Sequence, residues 1–473
     1  LHEKYHFEKS SMTEKDKILH LLKRGGFGPS VKQELKLSLK DQINDLMNSN
    51  STYEELFLQD EERVTRAELM NMSPDERKEI IQDLAANVKK LNLEWLKVMG
   101  KSEGQLREKM SLFWHGHFAV RVRGFAQVES YINTIRKYAL SDFGTLLMAV
   151  SKEPAMLRFL NNVQNRKNSP NENFAREVME LFTLGRGNYT ENDIKEAARA
   201  FTGWGINDQD QFELKTNQHD FGQKTIFGKT GNWEGEDVIR LILEKRQTAR
   251  FITKKIYTFF VNRQPPESRI ESLADQFYNS GYKIEELMRS IFSSSWFYDE
   301  ENISNQIKSP VELIVGLNRS FGISYDNAQP LLVLQRILGQ TLFFPPNVSG
   351  WAGGRNWIDN STLLTRMNLP EMLAQAGGLD MEAKAMDDES PNESLKEKQK
   401  LNFQCRFNWA AFANRFEKTG DAELWPALCS YLLGNNSSIS KPEKFAESTI
   451  FNREDKIKQM SLYISRLPDY QLV

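Results

Sequence analysis

The feature that most limits the fold is a repeated punctuation of helix starts and stops. "SPDERKEIIQDLAANVKKLNLEWLKVM" opens with Ser73 as an N-cap, Pro74 at the first helical position and Glu76 at the third. Apolar residues then recur at spacings of three and four. The cap oxygen takes up backbone N–H groups that a helix start leaves unpaired, so the pattern predicts a long amphipathic helix. The same grammar appears in "SPNENFAREVMELFTLGRG", with Ser169, Pro170 and Glu172 as the start and Gly185 or Gly187 as the stop. It appears again in "TENDIKEAARAFTGW" from Thr190. "DKILHLLKRGGFGPS" puts Ile18, Leu19, Leu21 and Leu22 on one stripe and stops at Gly25-Gly26, read as a left-handed terminator. "SEGQLREKMSLFWHGHFAV", "GEDVIRLILEKRQTARFITKKIYTFFV", "SRIESLADQFYNSGYKIEELMRSIFSS", "SPVELIVGLNRSFG" and "NAQPLLVLQRILG" continue the helical texture, and "SDFGTLLMAVSKEPAMLRFLNNVQN" reads as two helices meeting near Pro154.

Two stretches break that texture. Between Trp204 and Gly231 a turn cluster of Asn207, Asp208 and Asp210 is followed by short apolar segments between glycines, which predicts one or two small β-hairpins. "FFPPNVSGWAGGRNWIDNSTLLTRMN" concentrates proline, glycine and tryptophan in an irregular loop. The fold expected is mainly α: a large multi-helix, bundle-like body with a small β-hairpin insert. Residues 1–375 form the main helical domain with the β excursion near 204–230. Residues 376–400 are a polar, apolar-poor connection, and 401–473 a helical C-terminal segment packing on the body. No fixed-period repeat is present, which argues against a solenoid.

Composition narrows function mainly by exclusion. The 62 Lys and Arg are nearly balanced by 64 Asp and Glu, for a net charge of −2. No basic stripe argues for nucleic acid and no polybasic block for anionic lipid. No apolar run reaches the roughly 18 residues of a transmembrane helix. The chain begins at Leu1 rather than Met, which leaves room for a processed export signal ahead of it. Cys405 and Cys429 lie close together in the sequence, and either a local disulfide or two free thiols suits their spacing.

Six histidines occur in the chain, and two of them, His115 and His117, stand one residue apart in "FWHGHFAV". On a helix that spacing is about 200° around the axis, so the two cannot readily share one ion. His117 shares a stripe with Met110, Phe113, Trp114, Phe118 and Arg121 and is expected to be buried and oriented by a hydrogen bond. His115 should meet a different neighbourhood. In "REVMEL", Glu177 and Glu180 lie three apart on one face, with Glu177 on the apolar stripe and Arg176 able to pair with Glu180. Either a bracing Glu–Arg network or an acid–base or metal role suits them, and Glu177 is expected to approach His117. In "HDFGQKT", His219 and Asp220 sit in the one non-helical insert. Asp220 suits a local turn as well as a catalytic role. His115, His117, Glu177, Glu180 and His219 together would suit a divalent metal such as zinc, iron or manganese, although no contiguous metal signature is present. Trp351, Arg355 and Trp357 in "GWAGGRNW" suit either ligand stacking or a buried aromatic plug. Neither "GGFGPS" nor "GKTGNWEG" matches a phosphate loop.

These blocks in order, "HLLKRGGFGPS", "FWHGHF", "NFAREVMELFTLGRGNYTENDIKEAARAFTGW", "HDFGQKTIFGKTG", "SPVELIVGL", "FPPNVSGWAGGRNWIDNSTLLTRMN" and the terminal "LPDYQLV", resemble the bacterial family catalogued as domain of unknown function 1800. The resemblance runs from about residue 20 to the end. It implies an exported, cell-envelope or secreted setting, often alongside a second exported family with a phosphatase- or sulfatase-like core, and it implies no established reaction. Two function classes therefore stand. One is an exported, metal-assisted enzyme acting on an envelope or extracellular polymer, its site gathering residues 113–121, 174–180 and 219–224. The other is a non-catalytic protein that binds a polysaccharide or another exported protein through the aromatic loop. Convergence of the polar groups in one cleft would favour the first, and separate local pairing the second.

Overall fold

The computed structural model describes residues 12–49, 53–59, 61, 63–121, 124–375, 378–382, 398–434, 439–445 and 452–473. Among them the chain forms twenty α-helices, and strands occur only as two-stranded antiparallel pairs. The protein is mainly α, as the periodicity predicts.

Local signals place most helix starts. Ser73 accepts from the Glu76 N–H while Glu76 reaches back to the Ser73 N–H, and the helix Pro74–Lys101 follows. Thr190 and Asp193 make the same reciprocal cap ahead of Glu191–Ala200. Ser169-Pro170 does not start a helix. Ser169 is held in a turn whose backbone pairs with Arg166 in both directions. The helix begins at Asn173 instead. Asparagines lead into it: Asn165 Oδ1 accepts from the Asn171 N–H at 2.9 Å, and Asn171 Oδ1 from the Asn173 N–H at 3.0 Å. The first helix, Glu14–Arg24, stops where expected, but the left-handed residue is Gly28 (φ +94°) and not Gly25 (φ −80°).

The insert contains two hairpins, Trp204–Ile206 with Phe212–Leu214 and Lys224–Ile226 with Lys229–Gly231. Later in the chain, Gly378–Glu382 pairs with Lys398–Asn402 at the two ends of the polar stretch, and 383–397 lies outside the described residues.

One apolar core runs from Leu19 to Tyr470 and includes residues of the C-terminal helices. Polar contacts lock those helices to the body. Ser430 Oγ donates to Asp16 at 2.7 Å, Lys23 Nζ to the Leu432 carbonyl at 2.8 Å, and Gln306 and Val473 exchange backbone bonds. Cys405 and Cys429 are both free thiols. No helix among the described residues is long and apolar enough to cross a membrane.

Candidate functional site

The helix Gln105–His117 runs through the core: every residue in it is buried except Arg107 and Gly116. Its two histidines point in different directions and do different work, as the 200° separation predicts. His115 is enclosed by the rings of Trp95, Phe343 and Trp351. Its Nε2 accepts from the Phe343 N–H at 3.1 Å, so Nδ1 carries the ring proton. Burial pushes its pKa down to about 3. This bond fixes the start of the aromatic loop, where Phe343 adopts a left-handed φ of +71°.

His117 faces the other way. Its Nε2 lies 3.1 Å from the Phe182 carbonyl and donates to it, which leaves Nδ1 to accept from Lys255 Nζ at 3.2 Å. Burial, and then the charge of Lys255, hold its pKa well below the usual histidine value against the pull of the Phe182 carbonyl. Lys255 also donates to the Leu181 carbonyl at 3.2 Å. Leu181 and Phe182 belong to a π-helix, Val178–Thr183, that continues directly from Asn173–Glu177. Carbonyls at the end of a helix lack donors from the next turn, and here a lysine and a histidine supply them.

The remaining sequence candidates are held in separate local networks. Glu177 is not a partner of either His117 ring nitrogen, whose contacts are the Phe182 carbonyl and Lys255. Burial first, then the nearby Glu180, raise its carboxyl pKa, and no ion pair holds it among the described residues. Glu180 pairs with Arg186 at 2.8 Å and accepts from the Tyr189 hydroxyl. Arg176 goes to Glu172 at 3.0 Å and Glu191 at 2.7 Å, not to Glu180. His219 Nδ1 donates to the Thr202 carbonyl at 2.6 Å. Asp220 pairs with Arg199 at 2.8 Å and caps the Gly222 N–H at 2.8 Å, the local turn that its position suits. As for an ion, no three His, Cys, Asp or Glu side chains are grouped to hold one among the described residues.

This arrangement sets the order of cost for the two glutamates. Glu180→Ala is expected to lower stability by up to about 1 kcal/mol by breaking a partly exposed pair and a tyrosine hydrogen bond. Glu177→Gln is expected to leave stability unchanged or slightly higher, because it removes an uncompensated charge. Urea denaturation of both variants checks this, and a larger loss for Glu177→Gln would contradict it.

What the fold does bring together is a cleft of about 540 Å³. Gly116 and His117 form part of its floor, Phe251, Lys254, Lys255 and Phe259 come from the helix Arg246–Phe260, and Trp351 and Trp357 come from the aromatic loop. Arg355 is exposed and outside the lining. The loop reaches over this floor because Gly350, Gly353 and Gly354 adopt φ of +73°, +68° and +58°. A Cβ on Gly354 would sit 2.7 Å from the Arg263 guanidinium carbon, so the missing side chain makes room for that arginine.

The cleft is positively charged. Lys254, Lys255 and Arg263 line it against one carboxylate, Glu312, which the buried Lys109 ammonium and the Ser309 N–H already hold. Lys254 reaches Glu267 at 3.0 Å, whereas Arg263 makes no ion pair among the described residues. Another hollow, of about 490 Å³ around Arg121, Arg158 and Asp210, offers less, because Arg158 and Asp210 pair with each other at 2.5 Å. Sequence reasoning missed Lys255 and Arg263. A signal was available: Phe251, Lys255 and Phe259 recur at intervals of four, which sets a lysine on an otherwise aromatic face.

No curated protein and no solved structure matches this chain. The family model described as "Protein of unknown function (DUF1800)" matches residues 20–472, and the chain belongs to that family.

Proposed function

We propose that this is a binding protein whose cleft takes an acidic, ring-bearing molecule, with an acidic polysaccharide as the ligand class. The observation that carries this reading is the pairing, in one cleft, of the half-buried Trp351 ring with the unpaired Arg263 guanidinium. Aromatic faces stack on sugar rings, and a guanidinium makes forked hydrogen bonds to a carboxylate or sulfate. A binding role is favoured over metal-assisted hydrolysis because Glu180, His219 and Asp220 are each engaged locally and do not converge on the cleft. The setting we infer is exported, at the cell envelope or beyond it, with another exported protein as partner. The family resemblance supports both of these.

Titration of tryptophan fluorescence with acidic and neutral oligosaccharides of matched length tests the reading. The acidic series is expected to bind at least tenfold more tightly and to weaken with salt. Trp351→Ala and Arg263→Ala should each cost about tenfold or more. Equal affinity for the two series, or binding indifferent to both substitutions, would contradict the assignment.

A further inference from the structure

Lys255 differs from the protein's other cleft lysine in how its ammonium is held. Two acceptors face it, His117 Nδ1 and the Leu181 carbonyl, both at 3.2 Å. A neutral amine keeps two N–H bonds, so both acceptors stay satisfied when the third proton leaves. That third proton has no acceptor among the described residues, and its near neighbour is the Phe251 ring, 4.9 Å from Nζ.

No carboxylate pairs with Lys255 among the described residues. Glu312 is committed to Lys109, Glu180 to Arg186, and Glu267 to Lys254 and Arg250. The other groups facing the cleft, Lys254 and Arg263, are cations, and His117 is neutral for the reasons given above. Burial with no counter-ion brings the Lys255 pKa down to about 8.

We propose that Lys255 is a nucleophilic amine that forms a Schiff base with a carbonyl compound carrying an acid group. This rests on the reading of the cleft as a ligand site, with Arg263 receiving the acid group. The Nζ lone pair attacks the carbonyl carbon as the C=O π pair moves to oxygen, giving a carbinolamine. The nitrogen's protons pass to that oxygen, which leaves as water, and the C=N bond forms with no net oxidation or reduction. His117 Nδ1, already in contact with Nζ, orients the amine by accepting one of its N–H bonds, while solvent in the open cleft carries the nitrogen's protons to the departing oxygen.

The test is reductive trapping of the full-length protein with limiting glyoxylate and cyanoborohydride, followed by peptide mass spectrometry. At pH 7, Lys255 should hold on the order of a hundredfold more neutral amine than a surface lysine titrating near 10.4, so it should be labelled first. Its labelling rate should rise with pH and level off above about pH 8. Propionaldehyde, which lacks the acid group, should show weaker selectivity, and Arg263→Ala should erase the difference between the two reagents. Lys255→Arg should remove the early label. A label spread over surface lysines without enrichment at Lys255 would overturn the proposal, as would a labelling midpoint near that of ordinary lysines. The oligosaccharide titration, repeated on Lys255→Arg, separates the two readings. Retained binding with failed trapping rejects only the amine chemistry, and selective trapping with no acidic-ligand binding rejects only the polysaccharide assignment.

Discussion

Gly350→Ala is expected to lower stability by about 3 kcal/mol or more and to displace the aromatic loop from the cleft. A Cβ built on Gly350 would lie 2.2 Å from the Gly116 carbonyl oxygen, far inside the roughly 3.3 Å at which carbon and oxygen normally meet. The clash is with backbone on one side and backbone-borne on the other, so no side-chain rotation relieves it. The left-handed φ of +73° adds roughly 1 kcal/mol for any residue with a Cβ, and forced overpacking typically adds 1–3 kcal/mol. The reciprocal substitution separates this contact from a general effect of removing glycine. Gly116 lies in the helix Gln105–His117, and a Cβ there meets nothing within 4 Å. Gly116→Ala should therefore gain up to about 1 kcal/mol in helix propensity. Urea midpoints of the two variants, read with tryptophan fluorescence, check the pair. Similar shifts for both would show that the loop does not press on the helix as described.

That contact also shows where sequence reading stops. Ser73, Thr190 and their carboxylate partners act within one helical turn, so the letters alone carry the geometry. The different directions of His115 and His117 follow from helix geometry in the same way. Glu177 is the more buried of the two carboxylates, as its stripe predicts, but the expected Arg176–Glu180 pair fails because a 3.6-residue repeat does not carry through a segment that is a π-helix from Val178, where the wider turn shifts the faces. The cleft is a long-range object. Gly116, Gly350 and the segment carrying Lys255 and Arg263 belong to three distant parts of the chain, and no periodicity connects the three. The aromatic-loop residues were recognisable as candidates from composition, but the cations opposite them become partners only once the helices pack.

Acidification from pH 7 to pH 5 is expected to remove at least about 2 kcal/mol of stability through three buried histidines. His20, His115 and His117 are all buried. Burial is the leading cause that lowers each pKa, with Arg24 and Lys23 adding to it at His20 and Lys255 at His117. The unfolded chain protonates these groups near pH 6.5, while the folded chain keeps them neutral to much lower pH. Below pH 6.5 the unfolded state therefore binds more protons, and stability falls as pH falls. His115, whose folded pKa is about 3, contributes about 1.4 kcal/mol per pH unit in that window, or roughly 2 kcal/mol at pH 5, and His20 and His117 add to it in the same direction. A loss of that size is a sizeable share of the 5–15 kcal/mol net stability of a typical protein, so destabilisation should set in above the carboxylate range. Glu153 and Glu177 work in the opposite direction, since burial raises their carboxyl pKa values and acid relieves them, but they are two groups against three. Urea denaturation at half-unit steps between pH 7 and pH 5 measures the slope. His115→Gln can still accept from the Phe343 N–H and cannot titrate, so it should reduce the slope by close to one proton. Equal stability at the two ends of the range would mean that these histidines are not neutral in the folded protein, and the tautomers assigned to the floor of the cleft would fall with that result.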